Sequence, residues 1–188
     1  MSYSVIRSHE ICAGHRVVGH ESKCRHLHGH NYVFRFKVQP KRETKLEYKG
    51  ATLTVGAVTT PLLEEVPVSL DSLGRVIDFS VVKSTLCQWL EDNWDHKFLH
   101  WEKDALITGM LNLVGDDQTR SKAHRWVTQQ DSDSLFGSCV PLPFNPTAEN
   151  LAAHMVNVVG PMLLDEHGVE LVSCTIEETS KCHVEYTK

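Results

Sequence analysis

The sequence predicts an α+β fold: a four-stranded antiparallel sheet with two helices on one face. Three observations predict it. Segments rich in aromatic and β-branched residues open and close the chain. Two segments between them repeat their apolar residues at helical spacing. The resulting order, strand, strand, helix, helix, strand, strand, keeps sheet and helices in separate layers rather than alternating them. No internal repeat or linker divides the 188 residues, so residues 1–188 read as one domain with insertions, long enough to bury a core.

The elements follow in order. Residues 3–13 and 28–38 read as strands, the second as "HNYVFRFKV" over residues 30–38. Residues 44–56, "TKLEYKGATLTVG", read as a hairpin or extended edge with Gly50 near the turn. "GRVIDF", residues 74–79, reads as a short strand. It leads into an amphipathic helix with Val82, Leu86, Trp89 and Leu90 on one face and Asp78 or Ser80 as its cap. Residues 104–114 suggest a short helix, and the polar run 115–140 a surface excursion. "NPTAENLAAHMVNVVGPMLL" opens the second long helix, with Leu151, Met155, Val158, Val159 and Met162 as its stripe. Its start is either Asn145 with Pro146 at the first position, or Thr147 as the cap. Residues 169–178 and 182–187 supply the last two strands.

Composition excludes several classes of function. A hydrophobic content of 41%, a charged content of 23% and a net charge of −5 describe an ordinary globular chain with no basic footprint for nucleic acid. No apolar run approaches the roughly 18 residues of a membrane span. The opening "MSYSVIRSHEICAGH" carries charges where a secretion signal needs an apolar stretch, so the expected location is cytoplasmic. The six cysteines then read as reduced thiols, and none forms a C-x-x-C pair.

Histidine is the unusual residue. There are twelve, and six fall within residues 9–30. Side chains two apart on a strand share a face, so His28 and His30 present imidazoles from Cα atoms about 6.5–7 Å apart. His15, on the neighbouring strand, is placed to complete a set of three, with His20 and His9 as competitors. Three histidines with one open position form the catalytic arrangement of zinc. Gly29 between the pair fits a close approach of ligand or backbone. His26 lies before the strand and faces solvent. Cys24 sits on a loop, either as a base whose thiol is acidified by nearby positive charge or as a fourth ligand closing the site.

Six short motifs occur in one order: "AGH" at 13–15, C-x-x-x-H-G-H from Cys24 to His30, "IDF" at 77–79, "DH" at 95–96, "NPTAEN" at 145–150 and "EET" at 177–179. That order resembles the 6-pyruvoyl-tetrahydropterin synthase family, whose fold is the tunnelling fold, or T-fold. The three-residue gap between Cys24 and His28 resembles the family's 6-carboxytetrahydropterin synthase (QueD) branch of queuosine and 7-deazapurine synthesis. The resemblance implies zinc on His15, His28 and His30, with Cys24 as base and Asp95 and His96 as its proton-relay partners. It implies Glu178 as the pterin anchor and Thr147 near the ring, with Glu177 as the alternative anchor. It also implies a pterin triphosphate substrate and a homohexamer of two stacked trimers with active sites between subunits. Glu149 reads as a first-turn charge, Trp89, Trp94 and Trp101 as core or interface, and the other five cysteines as structural.

The chain departs from the family pattern in two surplus segments, at about 41–72 and 103–142. It also has Ile11 and Cys12 where an aromatic usually precedes the first histidine. Two alternatives stay open: a T-fold enzyme making a 6-pyruvoyl or 6-hydroxymethyl product, and a zinc-binding T-fold protein without catalysis.

Overall fold

A computed structural model describes residues 3–41, 52–55, 58–61, 70–115 and 129–188, with side chains left out at 52–61, 114–115 and 129–133. Its centre is a six-stranded mixed sheet. The strands are β1 (Val5–His15), β2 (His28–Pro40), β5 (Phe98–Trp101), β6 (Cys139–Leu142), β7 (Val169–Thr179) and β8 (Cys182–Thr187). Their order across the sheet is β6-β5-β1-β2-β7-β8. The expected four antiparallel strands are β1, β2, β7 and β8. Two short parallel strands extend the sheet beyond β1, where β5 pairs only with Gly14 and His15. β3 (Thr52–Val55) and β4 (Val58–Pro61) form a separate two-stranded hairpin. The expectation for residues 42–51 lies outside the described residues.

Alternation on β2 explains the layering. Tyr32, Phe34, Phe36 and Val38 are fully buried, while Val33, Arg35 and Lys37 between them are only half-buried. Opposite them on β1, Ile11 and Ala13 are buried and Cys12 is exposed. Two helices cover the apolar face. The first, α1, runs through Phe79–Val82, a π-helical stretch Lys83–Cys87, and Gln88–Asn93. The second long helix, α4, runs through Ala148–His154, a π-helical stretch Met155–Val159, and Gly160–Leu164. Between them in sequence lie α2 (Ala105–Gly115) and α3 (Gln129–Ser138).

Several expectations change. Residues 74–78 form a turn, not a strand; Asp71 and Asp78 both hold Arg75, and Asp78 caps α1 by accepting from the Ser80 N–H. The polar segment 115–140 is no bare excursion, because it contributes α3 and leads into β6. Thr147, rather than Asn145, caps α4, accepting from the Asn150 N–H. Val158 and Met162 are 51% and 60% exposed, so they leave the buried stripe. The π-helical stretch widens the turn, keeping Leu151, Met155 and Val159 in line, and beyond Gly160 the next buried side chain is Leu164. Of the five cysteines read as structural, only Cys87 and Cys174 are buried; Cys12 and Cys182 are exposed, and none of the six is paired.

A bulge decides which way the end of β7 faces. Lys37 pairs with Ser173 and Val38 with Leu171, so Val172 is the extra residue. Beyond it Cys174 and Ile176 lie opposite Phe36 and Phe34 on the apolar face. No helix among the described residues is long and apolar enough to cross a membrane.

Candidate active site

β1 and β2 carry the first cluster. His15 pairs across the ladder with His28, and Ala13 with His30. The three imidazoles therefore continue the stripe of Ile11, Ala13, Tyr32 and Phe34 beyond the end of the helix-covered core. Their ring centroids are 4.5, 5.2 and 5.0 Å apart, and one nitrogen from each lies within 4.8 Å of the others. His9 shares the face but pairs with Glu91 at 2.9 Å, and neither His9 nor His20 joins the cluster.

Backbone carbonyls set two of the rings. His15 Nδ1 lies 2.7 Å from the Pro146 carbonyl, and His28 Nδ1 lies 2.8 Å from the His26 carbonyl. A carbonyl only accepts, so both Nδ1 atoms carry the proton and both Nε2 lone pairs are free. His15 Nε2 is buried with no partner. Such an orphan, facing two further imidazoles, fits a divalent cation that prefers nitrogen ligands. Burial, opposed by the Pro146 bond and reinforced by His28 and His30, lowers the His15 imidazole to about 4. Neutral imidazole is the ligand form.

The motif "NPTAEN" acts as a clamp on this cluster, a role that its residue types alone did not signal. Asn145 bonds Val18 in both directions, accepting from its N–H at 2.9 Å and donating to its carbonyl at 2.8 Å. Pro146 turns the His15 ring, Thr147 caps α4, and the Asn150 side chain donates to the Asn145 carbonyl. The loop after β1 is thereby tied to the start of α4. Cys24 lies in a short 3-10 turn, Lys23–Arg25, whose loop is closed by Val17 N–H donating to the Cys24 carbonyl.

These pieces border one cleft of about 360 Å³, lined by His15, Cys24, Thr147, Glu149 and Glu178, with His20 and His183. Glu178 follows the parity that the Val172 bulge imposes, and its Oε1 lies 4.0 Å from His15 Nε2. Glu177 points the other way and forms an ion pair with Arg35 at 2.7 Å. Geometry thus separates two neighbours that the motif could not.

Asp95 and His96 lie elsewhere. The Cys12 N–H donates to Asp95 Oδ1 at 2.8 Å, and the His96 N–H donates to the Cys12 carbonyl at 2.7 Å. His96 Nδ1–H donates to Asp95 Oδ2 at 2.8 Å, so Nε2 is the free atom. Burial would raise the Asp95 carboxyl, but hydrogen bonds from Cys12 and His96 outweigh it and hold the group below its ordinary value. His96 adopts φ 55, a left-handed conformation uncommon outside glycine, and its side chain is 80% exposed. His96 borders a depression with Cys12, Gly29 and Asn31, whose parity on β1 and β2 is opposite to that of His15 and His28, and His30 also reaches it. Cys24 and His96 thus line different depressions.

The two glycines here serve close packing. A Cβ on Gly14 would sit 2.7 Å from the Phe98 ring, and one on Gly29 would sit 3.0 Å from the Ala13 carbonyl.

The family model described as 6-pyruvoyl tetrahydropterin synthase matches residues 4–188. A protein of Rickettsia bellii named 6-carboxy-5,6,7,8-tetrahydropterin synthase is 28% identical over 176 residues, which is 94% of each chain. The structure of an uncharacterized protein from Wolinella succinogenes superposes with a TM-score of 0.68 at 19% identity, covering 100% of this chain and 98% of that one. That of Plasmodium falciparum 6-pyruvoyl tetrahydropterin synthase gives 0.54 at 16% identity, with coverage of 100% and 98%.

Proposed function

This chain belongs to the 6-pyruvoyl tetrahydropterin synthase family and has its T-fold, and we propose that it is a zinc-dependent 6-carboxy-5,6,7,8-tetrahydropterin synthase. The reaction converts 7,8-dihydroneopterin triphosphate into 6-carboxytetrahydropterin, acetaldehyde and triphosphate, for 7-deazapurine synthesis such as that of queuosine. One observation carries the reading: three imidazoles converge on one point, and one of them, His15, borders a cleft with the Cys24 thiol and the Glu178 carboxylate. The three-residue gap between Cys24 and His28, together with relatives of that name, supports the 6-carboxy product over the 6-pyruvoyl one.

His15, His28 and His30 would hold the zinc, which when bound acts as a Lewis acid toward the substrate's side-chain hydroxyls. The Pro146 and His26 carbonyls keep the His15 and His28 lone pairs directed at it. Glu178 accepts two N–H bonds from the pterin's amide-and-amine edge, with Thr147 beside the ring. Cys24 takes a proton from side-chain carbon. His96 returns one from Nε2 while Asp95 fixes its tautomer.

His96 and Cys24 line different depressions, so a complete site would draw Asp95 and His96 from a second subunit. That supports a homo-oligomer, a hexamer of two trimers, with residues 1–188 as one catalytic unit working in the cytoplasm.

The test is zinc-loaded protein with 7,8-dihydroneopterin triphosphate, products separated by mass. A 6-carboxy product with acetaldehyde is expected. A 6-pyruvoyl product assigns the chain to that reaction instead, and no turnover leaves a binding protein. Cys24→Ala should lower turnover by at least about a hundredfold, the usual scale of acid–base catalysis; full turnover removes the thiol from the mechanism.

A further inference from the structure

Tyr32 is the largest polar side chain in the core that the chemistry above leaves unused. It is fully buried, and its hydroxyl has no partner in strict hydrogen-bond geometry. A buried hydroxyl without a partner is costly, so its surroundings point to what it serves. Its ring is walled by His15, His30 and Phe34, at centroid distances of 5.7, 5.3 and 6.2 Å. Val33 pairs with Glu177, which puts Tyr32 opposite Glu178 on the cleft side of the ladder.

With the His30 imidazole turned to the cluster through one nitrogen, the strong acceptors nearby reduce to one. His15 Nδ1 is taken by the Pro146 carbonyl, and its Nε2 faces the other two imidazoles. A thiol is a weak acceptor. The Glu178 carboxylate is the strong acceptor that remains, 27% exposed and reaching to 4.0 Å from His15 Nε2. A carboxylate free to swing there would be drawn toward a cation held by the three imidazoles. It would then lose the orientation that a planar ring edge requires.

We propose that Tyr32 is a positioning residue whose buried hydroxyl donates to the Glu178 carboxylate and holds it facing the pterin. The role concerns binding rather than proton transfer, and it rests on the reading of Glu178 as the pterin anchor. A donor to a carboxylate strengthens binding by holding the acceptor's other lone pairs in place for the ligand, at no entropic cost when the ligand arrives.

The experiment titrates zinc-loaded protein with neopterin, followed by ligand fluorescence, alongside zinc content, Tm and steady-state kinetics. Tyr32→Phe removes one oxygen and keeps the ring packed. It is expected to weaken neopterin binding and raise KM on the order of 10- to 100-fold, the range of hydrogen bonds to charged groups. kcat should stay within about threefold, on the same scale, with zinc content and Tm unchanged. Glu178→Asp, which keeps the charge but withdraws it from the hydroxyl, should show a similar loss. In the Tyr32→Phe/Glu178→Gln pair the losses should not add, since both remove one arrangement.

Wild-type affinity in Tyr32→Phe, or additive losses in the pair, overturns the positioning role and leaves the pterin reading intact. A loss of zinc or a collapse of Tm in Tyr32→Phe also overturns it, by making the residue a support of the metal centre or the core. Absence of neopterin binding by the wild-type protein overturns the pterin reading itself, and this inference with it.

Discussion

At the scale of single residues, tautomer and charge state decide what the histidine cluster can do. His15 is held neutral and its Nδ1 is committed to Pro146, so its metal-facing nitrogen is available at neutral pH. In metal-stripped protein this linkage has a sign. The folded-state imidazole sits at about 4 against an ordinary 6.5, so the unfolded chain binds more protons between those values. Stability is full above about pH 6.5 and falls as pH drops toward 4, by on the order of 3 kcal/mol. Denaturant unfolding of chelated protein at pH 7.5 and 4.5 checks this, and His15→Gln should flatten that part of the dependence. A second prediction concerns the ion: His28→Ala should lose most bound zinc, by elemental analysis, while keeping its fold. Undiminished zinc would refute the ligand assignment. His28 and His30 were legible as a pair because strand parity and local spacing depend on nothing distant. Pro146 was not, because its contribution is a carbonyl that every residue has.

Helices, strands and their irregularities set where those residues face. Regular periodicity located α1, α2, α4, β1, β2, β7 and β8, and it failed at the π-helical stretch of α4 and the β7 bulge. Each of these adds a residue to a turn or a strand without altering composition, so the pattern of residue types carries no trace of it. The bulge has the larger consequence, since it puts Glu178 rather than Glu177 in the cleft. Packing between α4 and β7 gives a test with two signs. A Cβ on Gly160 would meet Leu171 Cβ at 2.8 Å and the Met155 carbonyl at 3.1 Å, whereas one on Gly109 in α2 meets nothing within 4 Å. Gly160→Ala should therefore destabilise by about 1–3 kcal/mol. Gly109→Ala should stabilise by about 0.4–1 kcal/mol, through a less flexible unfolded chain and better helix propensity. Equal Tm shifts for the two would contradict this packing.

In the whole molecule, Cys24 and His96 line different depressions, and the proposed function requires assembly to bring them together. Among the described residues, most of β1's outer edge also has no strand beside it, because β5 pairs only with Gly14 and His15, and an open edge favours closure by another copy. Light scattering should give a mass near six chains. Mixing an inactive Cys24→Ala variant with an inactive His96→Asn variant, after dissociation and reassembly, should restore part of the activity. Mixed oligomers contain some sites with both groups intact. No recovery in confirmed mixed oligomers would place each site within one chain.

The sequence by itself determined the α+β layering, the imidazole pair on β2 and the order of the motifs, because strand and helix periodicity and local spacing are properties of neighbouring residues. Only the tertiary structure decided that His15 completes the cluster, that Glu178 faces the cleft and Glu177 does not, and that His96 and Cys24 line different depressions. Those outcomes depend on ladder register, one extra residue in β7 and a left-handed turn at His96, which link positions up to 163 apart, as with His15 and Glu178. At that range the chain's geometry, rather than its residue types, selects the partners.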